Sequence, residues 1–305
     1  MPSEKHTLVG SDFLDLAQLR RPQLERILDL AAAIKSGRWS GTPLAGRTLA
    51  LLFQKPSIRT RISFEVAINR LGGQAVTLRD DEVGIGRRET AEDVARVLDR
   101  YVDGIVARLF DHRDLLALAR GCRGPVINAL TDASHPCQAL ADVMTMREAL
   151  GRLDASTKVV FVGDGNNVVQ SLMEAATILD FALAVICPPA YRPRPEAQAA
   201  APAVQVSADL SSVSGASIVY TDVWTSMGQE SEAEERRREF LEYQVNENLM
   251  QLAPDAIFMH CLPAHRGEEV TEAVLEGTRS RVFDQAENRL YTQMALLTLL
   301  FQAEP

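Results

Sequence analysis

Short apolar runs alternate with amphipathic stretches along most of the chain. Leu49-Ala-Leu-Leu-Phe-Gln54 leads into a segment where Phe64, Ala67, Ile68 and Leu71 recur at i, i+3, i+4 and i+7. That spacing predicts a helix over 62–71 with one buried face, ended by Gly72-Gly73. Then come the strand Gln74 to Leu78, a helix over 90–101, the strand Gly104 to Leu109, a helix near 114–120 and the strand Pro125 to Leu130. Strands alternating with helices predict a parallel sheet covered on both faces. A second series, Lys158 to Gly163, Phe181 to Cys187, Ser217 to Thr221 and Ala256 to His260, predicts a second parallel sheet. The fold class expected is α/β, with two doubly wound parallel-sheet domains joined by interdomain helices. Residues 1–135 form the first domain, completed by a C-terminal helix within 285–305, and residues 136–284 form the second. Pro136 to Leu150 is a helix rich in Ala, Leu and Met that bridges them. Arg192 to Pro202 reads as a loop, and the charged stretch Glu230 to Glu242 as a solvated helix face. No internal repeat or low-complexity tract interrupts the pattern.

In open parallel sheets the binding crevice forms at the carboxyl ends of the strands, so the residues just after each strand are the ones to inspect. They are Ser57 to Arg61, Arg108, His135-Pro-Cys-Gln138, Gly163-Asp-Gly-Asn-Asn167, Asp222-Val-Trp-Thr-Ser-Met-Gly228 and His260-Cys-Leu-Pro263. Lys55, Arg59 and Arg61 crowd a helix start that Ser57 is placed to cap, with no acid to offset them. A helix N-terminus already carries about half a positive charge and unpaired N–H groups, so this clustering suits a bound anion, and phosphate matches arginine forks best. The alternative is that Arg59 and Arg61 are solvated or paired with distant acids. Taken singly, Arg108 reads as an arginine snorkelling to the strand rim and His135 as a capping or core histidine. Their accumulation at strand ends outweighs those separate readings. Cys261 fits a small buried hydrophobe better than a nucleophile, so a covalent thiol mechanism has no basis.

Composition narrows the class. The 305-residue length suggests two domains, and 46% hydrophobic with 24% charged residues is a soluble globular balance. A net charge of -9 argues against nucleic-acid or membrane-surface partners while permitting a local basic pocket. Cys122, Cys137, Cys187 and Cys261 form no CxxC pair, so neither a zinc knuckle nor a disulfide framework is suggested. Glu4, Asp12 and Asp15 interrupt the first twenty or so residues, no later run reaches membrane-spanning length, and a cytoplasmic address is expected.

Taken together, the strand-end segments resemble the ornithine carbamoyltransferases. That family carries, in order, a Ser-Thr-Arg-Thr-Arg phosphate loop, His-Pro-x-Gln, Asp-Gly-Asn-Asn, Asp-x-Trp-x-Ser-Met-Gly and His-Cys-Leu-Pro. Here they stand as Ser57-Ile-Arg-Thr-Arg61, His135-Pro-Cys-Gln138, Asp164-Gly-Asn-Asn167, Asp222-Val-Trp-Thr-Ser-Met-Gly228 and His260-Cys-Leu-Pro263, followed by Phe283-Asp-Gln-Ala-Glu-Asn-Arg289. The aspartate-using relatives share the first two motifs but not the Ser-Met-Gly loop. The resemblance implies transfer of a carbamoyl group from carbamoyl phosphate to the δ-amine of L-ornithine, giving citrulline and phosphate, within arginine metabolism. It implies that Ser57, Arg59 and Thr60 hold the phosphate, and that Thr60, Arg108 and His135 surround the carbonyl oxygen. Gln138 and the backbone of Leu262 would hold the carbamoyl amide, and Arg289 would close the site. Asn167, Asp222, Ser226 and Met227 match positions that grip the amino-acid end of ornithine, with Cys261 beside its δ-amine. Arg108, His135 and Cys261 are the catalytic candidates. No metal or organic cofactor is implied, because positioning and electrostatics carry such a reaction. A homotrimer, or a multiple of trimers, is implied as the assembly.

Two positions depart from the family pattern. Ile58 replaces a threonine of the phosphate loop, leaving only its backbone N–H to contribute. Gly84 replaces a glutamine that reaches a neighbouring subunit's phosphate in the family, with Arg87 or Arg88 as possible substitutes. A dinucleotide oxidoreductase would use Gly163-Asp-Gly-Asn-Asn-Val168, but Val168 stands where the third glycine belongs and Ile186-Cys-Pro-Pro189 lacks the ribose-binding acid. A non-catalytic binding protein shares the expected architecture. Putrescine and acylated ornithine are the rival acceptors within the carbamoyltransferases.

Overall fold

The computed structural model describes residues 8–226 and 228–302. They divide into two compact units, one running to Leu140 and resuming at Arg289, the other spanning Ala141–Asn288.

The first unit begins with α1 (Arg21–Lys35), β1 (Thr48–Phe53), α2 (Ile58–Arg70), β2 (Gln74–Arg79), α3 (Asp80–Val83) and α4 (Ala91–Leu98). It continues with β3 (Gly104–Arg108), α5 (His112–Gly121), β4 (Val126–Leu130) and the start of α6 (Pro136–Leu150). The four strands are parallel, in the order β2-β1-β3-β4. β3 and β4 are buried at every position, as expected for strands covered on both faces, whereas the edge strand β2 has no buried residue. α2 buries Phe64, Ala67 and Ile68 on the face that the spacing predicts, and Gly72 adopts φ 85° just beyond its end. The helix starts at Ile58 rather than at residue 62, because Ser57 caps it there; Arg59, Thr60 and Arg61 therefore belong to its first turn.

The second unit contains β5 (Lys158–Val162), α7 (Asn167–Leu179), β6 (Ala182–Ile186), α8 (Pro195–Ala200) and β7 (Gln205–Ser207). After these come β8 (Ile218–Thr221), α9 (Ala233–Phe240), α10 (Glu247–Gln251), β9 (Ile257–His260) and α11 (Glu272–Leu275). Its five strands are also parallel, in the order β7-β6-β5-β8-β9. The sheet order turns at β5, so the ends of β5 and β8 lie side by side where a ligand crevice is expected. The last helix, α12 (Val282–Phe301), begins in the second unit and ends in the first, and α6 runs the other way. Within the second unit both helices meet at buried Asp142, which accepts from Gln285 Nε2 at 2.7 Å and from the Tyr220 hydroxyl at 3.0 Å.

Three local expectations fail for physical reasons. Arg192 to Pro202 is not all loop: Pro195 pre-sets the backbone at the start of α8, and the alanines sustain one short helix. α9 is not a uniformly solvated face, since Arg236 and Phe240, one turn apart, are both buried. α1 went unread although Leu24, Ile27, Leu28 and Ala31 carry the helical spacing and are all buried. No helix among the described residues is long and apolar enough to cross a membrane.

Candidate active site

In the first unit the strand ends bring buried cationic side chains close to His135. The Ser57 hydroxyl accepts from the Thr60 backbone N–H at 3.3 Å, capping α2 with no acid in its first turn. Arg59 is half-buried, Arg61 is exposed, and Lys55 lies over the Phe110 ring, 4.5 Å from its centroid. Among the described residues Arg59 makes no hydrogen bond to the other predicted site residues. Thr60 is fully buried, and its hydroxyl accepts from Arg289 Nη2 at 2.8 Å. Arg289 Nη1 donates to Gln138 Oε1 at 3.0 Å. Three predicted residues, from α2, α6 and α12, thus meet through one guanidinium.

Arg108 ends β3 and is buried, so it is not a side chain snorkelling free of the sheet. His135 is buried directly before α6. Burial, then the positive charges of Arg289 and Arg108, hold its pKa well below the usual imidazole value. A neutral imidazole between two guanidinium groups can hydrogen-bond a carbonyl without adding a third charge. Cys137, inside the same motif, donates to the Asn128 carbonyl at 3.3 Å, and burial pushes its thiol up to about 12, which leaves it inert.

In the second unit the strand ends converge on a carboxylate. Asp222 is buried, and its Oδ2 accepts from Asn166 Nδ2 at 2.8 Å. Its Oδ1 accepts from the Val223 N–H and from the Cys261 thiol, both at 2.8 Å. Asn166 also caps α7, accepting from Val168 N at 2.9 Å and Val169 N at 3.2 Å; the helix cap therefore fixes the orientation of its amide towards Asp222. Asn167, the first residue of α7, is half-buried, as is Ser226, whose N–H donates to Gln229 Oε1 at 3.1 Å. Met227 lies outside the described residues. His260 is fully buried: its Nδ1 accepts from the Leu262 N–H at 2.8 Å, and its Nε2 stands 3.1 Å from Glu269 Oε1. Leu262 is thereby held at φ 55°.

Asp222, His260 and Cys261 offer donor atoms within 4.8 Å of one another, a spacing compatible with a metal ion. Those atoms are already engaged, the thiol with the carboxylate and both imidazole nitrogens with Leu262 and Glu269. A metal would have to displace this network.

Sequence reasoning missed Asn166 as the partner of Asp222, and it missed Arg236. From α9 Arg236 Nη1 reaches Asp164 Oδ2 at 2.9 Å and the Trp224 carbonyl at 3.0 Å. Burial pushes the Asp164 carboxyl up to about 6, against the opposing pull of Arg236. Gly165 donates to the Tyr191 carbonyl at 2.9 Å, and a Cβ there would stand 2.3 Å from Pro193 N. Only glycine lets the two backbones approach this closely.

Two expectations follow from this geometry. Gly165→Ala forces backbone against backbone and should cost about 1–3 kcal/mol, lowering the melting temperature by several degrees; an unchanged melting curve would contradict the close approach. For His135 the folded-state pKa is depressed, so the unfolded chain takes up the proton first as pH falls through the usual imidazole value. Stability is then present above about pH 6.5 and lost below it, by up to about 1.4 kcal/mol per pH unit. Urea unfolding between pH 7.5 and 5 should therefore show a steeper acid loss for the wild type than for His135→Gln. Equal slopes would mean that the buried imidazole carries a charge.

Comparison with known proteins fits this geometry. The carbamoyl-P binding domain of the aspartate/ornithine carbamoyltransferases matches residues 11–148, and the Asp/Orn binding domain of the same family matches residues 155–300. The chain is 50% identical over 307 aligned residues to an ornithine carbamoyltransferase of Thermococcus kodakarensis, covering 96% of this chain and 97% of that protein. An ornithine carbamoyltransferase of Thermus thermophilus is also 50% identical, covering 95% and 96%. The solved structure of ornithine carbamoyltransferase from Pyrococcus furiosus superposes with a TM-score of 0.92 at 48% identity, covering 97% of this chain and 98% of that one. With both domain models matched in order and relatives aligned over nearly their full length, the chain belongs to the aspartate/ornithine carbamoyltransferase family.

Proposed function

We propose that the protein transfers the carbamoyl group of carbamoyl phosphate to the δ-amine of L-ornithine, giving L-citrulline and phosphate. The observation that carries this reading is the contrast between the two strand-end sites: buried guanidinium groups around a neutral imidazole in one unit, a buried carboxylate in the other. The first suits a phosphorylated carbonyl compound and the second an ammonium group.

The α2 N-terminus with Ser57, Arg59 and Thr60 receives the phosphate, and Arg108, His135 and Thr60 stabilise the oxygen that becomes negative as the tetrahedral intermediate forms. Gln138, oriented by Arg289, and the backbone of Leu262 hold the carbamoyl nitrogen. Asp222 binds the α-ammonium of ornithine, with Asn167, Ser226 and Met227 around the amino-acid end. Its charge disfavours aspartate, whose second carboxylate it would repel. The neutral δ-amine attacks the carbonyl carbon, phosphate leaves with the bonding electrons, and the proton that the nitrogen loses goes to the departing phosphate. Cys261 positions the amine; its proton is shared with Asp222, and it forms no covalent intermediate.

The acid-rich composition and the family support a cytoplasmic homotrimer or multiple of trimers. Ile58 and Ile62, one turn apart on α2 and 67% and 48% exposed, support an assembly that covers them. Gly84 sits at φ 66°, where a Cβ would meet the Arg88 side chain at 2.9 Å, and Arg87 or Arg88 takes the place of the missing glutamine towards a neighbouring subunit.

The test is to supply carbamoyl phosphate with L-ornithine, putrescine, Nα-acetylornithine or L-aspartate and to measure the carbamoylated product. L-Ornithine should be the preferred acceptor. Asp222→Asn should lower its use by tens of fold, an effect on the order of losing one buried charged contact, with carbamoyl phosphate binding little changed. Preference for putrescine, or full activity in Asp222→Asn, would overturn the acceptor assignment.

A further inference from the structure

Arg236 is buried in a helix whose other charged residues are largely exposed. Taking a guanidinium out of water is costly, and burial alone would be served better by an apolar side chain of similar size. What Arg236 does instead is join segments far apart in sequence. Nη1 donates to Asp164 in the β5–α7 turn at 2.9 Å and to the Trp224 carbonyl in the loop after β8 at 3.0 Å. Nε donates to Glu232 at 3.0 Å, and the guanidinium lies over the Tyr191 ring after β6, 4.8 Å from its centroid. The two segments that it clamps are those that supply Asn166 and Asp222, whose side chains are hydrogen-bonded at 2.8 Å.

We propose that Arg236 is a positioning residue for the acceptor: it sets the Asp222–Trp224 segment against the Asp164–Asn167 turn so that the acceptor's ammonium and carboxylate meet a preformed site. The inference rests on the reading of this unit as the ornithine site. A planar fork is needed, because one nitrogen serves Asp164 and Trp224 together while another holds Glu232. Lysine keeps the charge beside Asp164 but cannot hold all three partners.

The test compares wild type, Arg236→Lys, Arg236→Gln and Val213→Ala in steady-state kinetics and in equilibrium binding of carbamoyl phosphate. Val213 is fully buried in the core of the same unit and has no polar side-chain group to hydrogen-bond either loop, so its variant reports what loss of core packing does. Both Arg236 variants should raise the KM for ornithine at least about tenfold, since misplacing binding groups by an ångström costs up to about a hundredfold. Their carbamoyl phosphate affinity and kcat at saturating ornithine should stay within about threefold of wild type, a small change beside that expected loss. Val213→Ala should lower the melting temperature and leave the KM unchanged. If Arg236→Gln does not fold, Arg236→Lys decides. An unmoved KM in a folded Arg236 variant would overturn the inference, as would an equal rise in Val213→Ala or a parallel loss of carbamoyl phosphate binding. A wild type unable to use ornithine would remove the functional reading and this inference with it, whereas an active wild type with unmoved variants would remove the inference alone.

Discussion

Buried arginine organises the strand ends of both units. A guanidinium away from water must find acceptors, and in each unit it finds them on segments far apart in sequence. Arg289, arriving from the last helix, orders Thr60 on α2 and Gln138 on α6 with its two terminal nitrogens. Arg236 does the corresponding work for Asp164 and the Trp224 loop. The parallel sheets set where the strand ends lie, and the arginines set how the polar side chains at those ends point. Without them each crevice would hold the right residues in many orientations, which is poor support for a reaction that depends on placement.

The two sites differ in what burial does to their titratable groups. In the first unit, desolvation and the neighbouring positive charges of Arg289 and Arg108 keep His135 neutral, so it offers a hydrogen bond without a further charge. In the second, the Asp222 carboxylate is taken from water but retained by three hydrogen-bond donors. On the proposed function the labour divides accordingly: one unit stabilises negative charge that grows during reaction, and the other selects the acceptor before reaction begins.

The sheet strands that frame the sites were legible because strands covered on both faces read as continuous apolar runs, so β1, β3, β4, β5, β6, β8 and β9 stood out. β7 did not, being three residues long with no buried position. α8 was hidden by the prolines around it, although one of them begins the helix. The candidate site residues stood out because the fold rule points to strand ends and the motifs cluster there. The supporting residues were not: Arg236 is one arginine among three in a charged run, and only Phe240 one turn later hints that this position faces inward. Asn166 was masked by Asn167 beside it, and what separates their roles is helix capping, which is settled by backbone geometry rather than by residue type.

The proposed reaction joins the carbamoyl carbon to the side-chain nitrogen of the acceptor amino acid. Carbamoyl phosphate labelled with carbon-13 and L-ornithine labelled with nitrogen-15 at the δ position alone test it in a single incubation followed by NMR. The account predicts a product in which the labelled carbon is split by one-bond coupling to the labelled nitrogen, with inorganic phosphate released in equal amount. A carbamoyl carbon without that coupling would mean that the α-nitrogen or another acceptor had reacted, and would contradict the account.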